Sequence, residues 1–171
     1  MTQHTTTEAT NATTTDEREL VISRLLDAPR SLVWQAWTDP RHVAAWWGPH
    51  GTTTPVCEMD VRPGGVFKTL MRDGDGNEYP TAHLFLEVAE GERLVFTDAY
   101  EPGWKPSEKP FLTVVLAFEE AEGGTLLTST ARHWSVADRQ THEEMGFYDG
   151  WGQSLEKFEA VVANLVQQQG A

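Results

Sequence analysis

Between Asp27 and Pro49, four of the seven tryptophans fall within 14 residues, punctuated by three prolines and one glycine. No other stretch of the chain limits its fold so tightly. The punctuation divides the segment into two short helical pieces, 30–37 and 40–47. Asp39 before Pro40 reads as an N-cap followed by proline at the first helical position, and Gly48-Pro49 ends the second piece. Two short helices thus carry large flat side chains to one end of a fold. Trp46 and Trp47 are neighbours, so on a helix they point about 100° apart. One can enter the core while the other faces a rim or an opening. Burying one tryptophan removes about 150–250 Å² from water, worth about 4–6 kcal/mol, so packing alone accounts for both.

Around this segment the pattern is β. Residues 19–26 (Glu-Leu-Val-Ile-Ser-Arg-Leu-Leu) are apolar and β-prone, and Asp27 and Pro29 stop them. Residues 53–61 alternate, with Cys57, Met59 and Val61 on one face. In 66–72, Phe67, Thr69 and Met71 oppose Lys68, Leu70 and Arg72. Asp73-Gly74-Asp75-Gly76-Asn77 reads as a hairpin turn. Strands follow at 79–88 and 93–100, the latter with Leu94, Phe96, Asp98 and Tyr100 on one side. In 79–88, Phe85 and His83 share one face, Ala82, Leu84, Leu86 and Val88 the other, and the alternation does not say which is inside. A proline-rich loop at 101–110 leads to strands at 111–119 and 125–134, joined through Glu122-Gly123-Gly124.

The period then changes. Met145, Tyr148, Trp151, Leu155, Phe158, Val162 and Leu165 recur every three or four residues, which predicts one long amphipathic helix over 137–167. About 30 residues would span about 45 Å. The expected fold class is α+β: a curved antiparallel sheet of six to seven strands wrapped around the long C-terminal helix, with two short helices after the first strand. Twisted sheets curve, and only the last helix offers an apolar stripe to cover the concave face. A curved sheet and a straight helix leave a gap, where small ligands bind.

That order, carried by these residues, resembles the START-like helix-grip superfamily (the SRPBCC group). Within it the chain is similar to the branch of homologues of the activator of the heat-shock-protein-90 ATPase. The matching pieces are Asp27-Ala28-Pro29 with Val33-Trp34 and Ala36-Trp37-Thr38-Asp39-Pro40; Trp46-Trp47-Gly48-Pro49; Met59-Asp60-Val61-Arg62-Pro63-Gly64-Gly65; Glu92-Arg93-Leu94-Val95-Phe96-Thr97; Gly123-Gly124-Thr125; and Gly150-Trp151 with Ser154-Leu155. They cover about residues 18–166. The resemblance implies a pocket for hydrophobic molecules in a superfamily of binders, lipid carriers, polyketide cyclases, and co-chaperones of the stress response. Where the branch usually has a small glycine in the middle strand, this chain has His83, which would narrow or polarise a cavity. Fold does not fix function.

Three functions follow as expectations. The first is binding of a small hydrophobic or aromatic molecule between the sheet and the C-terminal helix. Its wall would be Phe67, Thr69, Met71, Phe96, Asp98, Val114, Leu116, His133, Met145, Tyr148 and Trp151, with Trp47 and His83, around a cavity of about 300 Å³ or more. The second is a cyclase- or hydratase-like enzyme in the same pocket. Asp98 and His133 would be its catalytic acid/base pair, since burial and a charged partner tune such groups toward neutrality; near strand ends, both can equally be solvated. The third is a co-chaperone-type domain whose partner is a chaperone protein. Gly146, Gly150 and Gly152 lie inside the expected helix at about 1 kcal/mol each against alanine, either for close packing or to leave room for a ligand.

Other classes are disfavoured. With 26 acidic residues against 13 basic, the net charge is −13, which repels phosphate backbones and anionic lipid; no nucleic-acid partner is expected. No apolar run reaches the ~20 residues a membrane span needs, so no membrane insertion is expected. The threonine-rich residues 1–17 read as a tail without a signal-peptide core, and 18–168 as the domain, cytoplasmic and a monomer or homodimer. The six histidines show no paired ligand spacing, so no metal and no cofactor are expected. His142-Glu143-Glu144 reads as an acidic helix face. The single Cys57 reads as a small buried hydrophobe.

Overall fold

The computed structural model describes residues 16–170. The chain begins with β1 (Glu19–Leu26) and the short helices α1 (Arg30–Thr38) and α2 (Pro40–Trp46). Four strands follow: β2 (Thr53–Met59), β3 (Val66–Arg72), β4 (Glu78–Ala89) and β5 (Arg93–Thr97). A small hairpin, β6 (Tyr100–Glu101) with β7 (Lys105–Pro106), precedes β8 (Leu112–Ala121) and β9 (Gly124–His133). Two helices, α3 (Val136–Glu144) and α4 (Phe147–Gln169), end it. Seven strands form one antiparallel sheet in the order β1-β9-β8-β5-β4-β3-β2. This is the helix-grip fold: a curved sheet with α4 across its concave face.

Local chemistry explains the joints. The Asp39 side chain accepts from Arg41 N at 2.9 Å, and Pro40 occupies the first turn, so α2 starts where a capped, proline-led helix should. At the β8–β9 turn Gly124 has φ +141, and a Cβ there would collide with the Leu26 carbonyl, so β1 passes close only because no side chain intervenes. Thr125 Oγ1 donates to Ala28 O at 2.8 Å, locking the same corner.

The core joins the tryptophan segment to the sheet and α4. Trp37 and Trp46 are buried, with ring centroids 4.6 Å apart. Trp46 Nε1 donates to Ala36 O at 2.9 Å, which satisfies its polar atom inside the core. The Trp46 ring also meets Phe158 of α4 at 5.1 Å. Lys157 of α4 donates from Nζ to Gly48 O at 3.1 Å, and Gln153 Oε1 accepts from His50 N at 3.0 Å. These contacts pin the end of α2, and with it Trp47, against the helix.

Two expectations need correction. The single helix over 137–167 is two helices, because Gly146 takes φ +93 and breaks it. Gly146 N donates to Glu143 O at 3.0 Å, closing the last turn of α3 before α4 sets off. The strand expected over 93–100 ends at Thr97, and a bend at Asp98 takes that side chain out of the alternation. The question left open for β4 is answered: His83 and Phe85 face the core, with Phe85 stacked 5.7 Å from Phe67, while Leu84 is buried on the opposite face. Residues 1–15 of the expected tail lie outside the described residues. Asp16 and Glu17 are described, and Arg139 of α3 donates to Glu17 O at 3.0 Å.

Candidate functional site

The gap between sheet and helices is a cavity of about 160 Å³. The sheet supplies Thr81 and His83 from β4, Phe96 from β5, Leu112 and Val114 from β8, and Ser129 and Ala131 from β9. Trp47, His142 of α3, and Phe147 and Trp151 of α4 complete the wall. It falls short of the expected volume because four large rings converge on it. Trp47 meets Trp151 edge-to-face at 5.4 Å, and Phe96 meets the His83 ring at 5.2 Å.

Of the residues expected to line a site, Trp47, His83, Phe96, Val114 and Trp151 do so. Phe67 and Leu116 are fully buried behind the wall, in solid core. Thr69 is buried, sharing a 2.6 Å hydrogen bond with the Thr81 hydroxyl. Met71 packs beside Gly48 instead, and Tyr148 is half-buried against the Phe147 ring at 5.1 Å. Met145 is corrected outright: at 73% exposure it faces solvent, because the helix break turns it away from the α4 stripe.

The proposed Asp98–His133 pair is also corrected. The Asp98 carboxylate accepts from Phe111 N at 2.8 Å and from Leu112 N at 3.1 Å, so it closes the loop that returns the chain to β8. His133 donates from Nδ1 to Arg18 O at 2.9 Å, and its Nε2 lies 2.8 Å from His142 Nδ1. Both groups are engaged elsewhere, and among the described residues no hydrogen bond joins them.

The histidine that reaches the cavity is one that the sequence reading placed on an acidic helix face. His142 is fixed by His133 and by the rings of Phe111 at 5.3 Å and Phe147 at 5.0 Å. Burial, and secondarily the neighbouring His133, push its pKa down to about 4. Burial also lowers the pKa of His83, against the opposing pull of the Asp98 charge. Both imidazoles are therefore neutral at physiological pH. His83 Nδ1 is buried and finds no hydrogen-bond partner among the described residues. Thr81, Leu112, Ser129, Ala131, His142 and Phe147 were not singled out as wall residues from sequence. The one available signal was alternation in β9, which puts Ser129 and Ala131 on the face of Leu127.

Larger depressions exist on the surface, one of about 350 Å³ beside Lys68, Asp98 and Glu101 carrying charged groups that the cavity lacks. Another of about 460 Å³ beside Arg18, Glu19, Arg132 and Trp134 is wide open, and its charges are already paired, Arg132 Nε with Glu19 at 2.8 Å. Cys57 is no nucleophile, since burial pushes its thiol up to about 11.

A curved antiparallel sheet gripping a C-terminal helix around a small apolar cavity defines a START-like domain. The chain belongs to the family of Activator of Hsp90 ATPase homolog 1-like proteins, whose model matches residues 27–163. It is similar to a solved structure from Nitrosomonas europaea, at 34% identity over 92% of this chain and 100% of that one, with a TM-score of 0.85. A Mycobacterium smegmatis protein is 27% identical over 92% of this chain and 99% of that one, at TM-score 0.78. An AHSA1 protein from Silicibacter pomeroyi, 22% identical over 85% of this chain and 97% of that one, shares the fold at TM-score 0.66. No curated protein matches the chain. Among the described residues no helix is long and apolar enough to cross a membrane.

Proposed function

We propose that this domain binds a small uncharged molecule, about the size of one aromatic ring, between the sheet and the start of α4. The observation that carries the reading is the cavity of about 160 Å³ walled by Trp47, Phe96, Phe147 and Trp151. Apolar cavities of about 150 Å³ stay dry and take up benzene. A long acyl chain does not fit that volume, so the lipid-carrier form of the expectation gives way to a compact ligand. Titration with toluene, followed through the indole resonances of Trp47 and Trp151, tests it. Saturable shifts of those two resonances are expected, and their loss in Ala131→Leu, which fills the cavity. Saturation that leaves both indoles unmoved would sink the reading.

A chaperone-docking role is favoured by one separate observation. Trp134 and Val136, at the start of α3, and Met145, just past its end, are exposed apolar side chains that a partner surface would cover. Stimulation of a chaperone ATPase by the intact protein, abolished in Trp134→Ser with Met145→Ser, is the expected result. Equal stimulation by the double variant would remove this surface from consideration.

A further inference from the structure

We propose that the ligand of this cavity is a neutral single-ring aromatic carrying a hydroxyl, a phenol, whose O–H donates to Nε2 of His142. The inference rests on the cavity being a ligand site, and it adds the chemistry that the site reads.

The hydrogen-bond chain sets the polarity. A carbonyl can only accept, so His133 donates to Arg18 O from Nδ1. Where His133 carries that ring proton alone, its Nε2 is the acceptor. His142 fills it from Nδ1 at 2.8 Å, which leaves the lone pair on Nε2 of His142. That tautomer follows from the network of partners. Nε2 of His142 makes no hydrogen bond among the described residues, and the ring forms part of the cavity wall. The ring on the cavity wall therefore carries an acceptor that no described residue fills, held in place from β9 by His133 and flanked by Phe111 and Phe147. The Ser129 hydroxyl gives the sheet-side wall a further polar group.

Charge decides between related ligands. Among the described residues no lysine or arginine lines the cavity. A carboxylate entering it would lose its hydration with no cation to replace it. A plain hydrocarbon ring would fit the volume but leave the His142 acceptor unmet. A phenol fills the same space as toluene and supplies the missing donor. In a cavity without an acceptor that advantage is lost, since the buried hydroxyl would go unpaired.

Calorimetric titration of the intact protein with phenol, toluene and benzoate at neutral pH tests this. Phenol is expected to bind about tenfold tighter than toluene, the scale of one neutral hydrogen bond, and benzoate weakest. In His142→Phe the two neutral rings should bind with the preference for phenol lost. His142→Gln, which keeps a side-chain carbonyl, should restore a preference for phenol. Toluene binding as tightly as phenol to the unaltered protein would overturn the inference and leave the cavity reading standing. Benzoate binding tightest, or a phenol preference unchanged in His142→Phe, would overturn it as well. If none of the three binds, the cavity reading fails and the inference falls with it.

Discussion

Asp98 shows how a single polar residue is misread when only its alternation is known. It follows Leu94 and Phe96 on the inward register, yet its carboxylate accepts two backbone N–H groups at the start of β8. Hydrogen bonds to a charged group contribute about 1.5–3 kcal/mol. Asp98→Ala is therefore expected to lower stability by about that amount in denaturant melts, and to leave toluene binding within about twofold. A loss of binding without loss of stability would return Asp98 to the site. Alternation allowed His133 to face inward without deciding its burial, and its partner was not legible, because Leu112↔His133 pairing and the approach of α3 are set by strand register. Trp46 and Trp47 divide as their ~100° separation requires: one donates into the core and the other walls the cavity.

At the level of elements, the last helix carried the plainest error. Its apolar recurrence is real from Phe147 onward, with Leu155, Phe158, Val162 and Leu165 buried. No residue of 136–144 is fully buried, and only polar His142 among them reaches the cavity wall, so α3 had no apolar stripe to extend the pattern upstream. Gly146, at φ +93, makes the junction. Gly146→Ala should destabilise by about 1–2 kcal/mol, the left-handed penalty of a residue with a Cβ. The other two glycines behave differently. A Cβ at Gly150 or Gly152 would meet nothing within 4 Å, so close packing does not explain them, and neither lines the cavity. Gly152→Ala is expected to stabilise by about 1 kcal/mol through helix propensity. Thermal melts of the two variants should move in opposite directions; a shift the same way in both would contradict this account of the junction.

For the whole molecule, the neutral cavity makes folding sensitive to acid. The unfolded chain takes up a proton at histidine near pH ~6.5, whereas folded His142 does so only near about 4. Between those values the unfolded state binds more protons, so stability falls as pH drops from about 6.5 toward 4. Lowered His83 acts in the same direction. His142→Phe should flatten that part of a stability-against-pH curve; an unchanged slope would mean that His142 does not contribute. The amino-acid sequence by itself determined the order of the seven sheet strands, the turns at 73–77 and 122–124, the two-helix tryptophan segment and the family. Those depend on residues within a few positions of one another, on caps, prolines and period. The tertiary structure alone decided which aromatics border the gap, how little space they leave, and that His133 hands its orientation to His142. Those depend on register between distant strands and on one glycine's left-handed turn, where neither spacing nor composition carries the information.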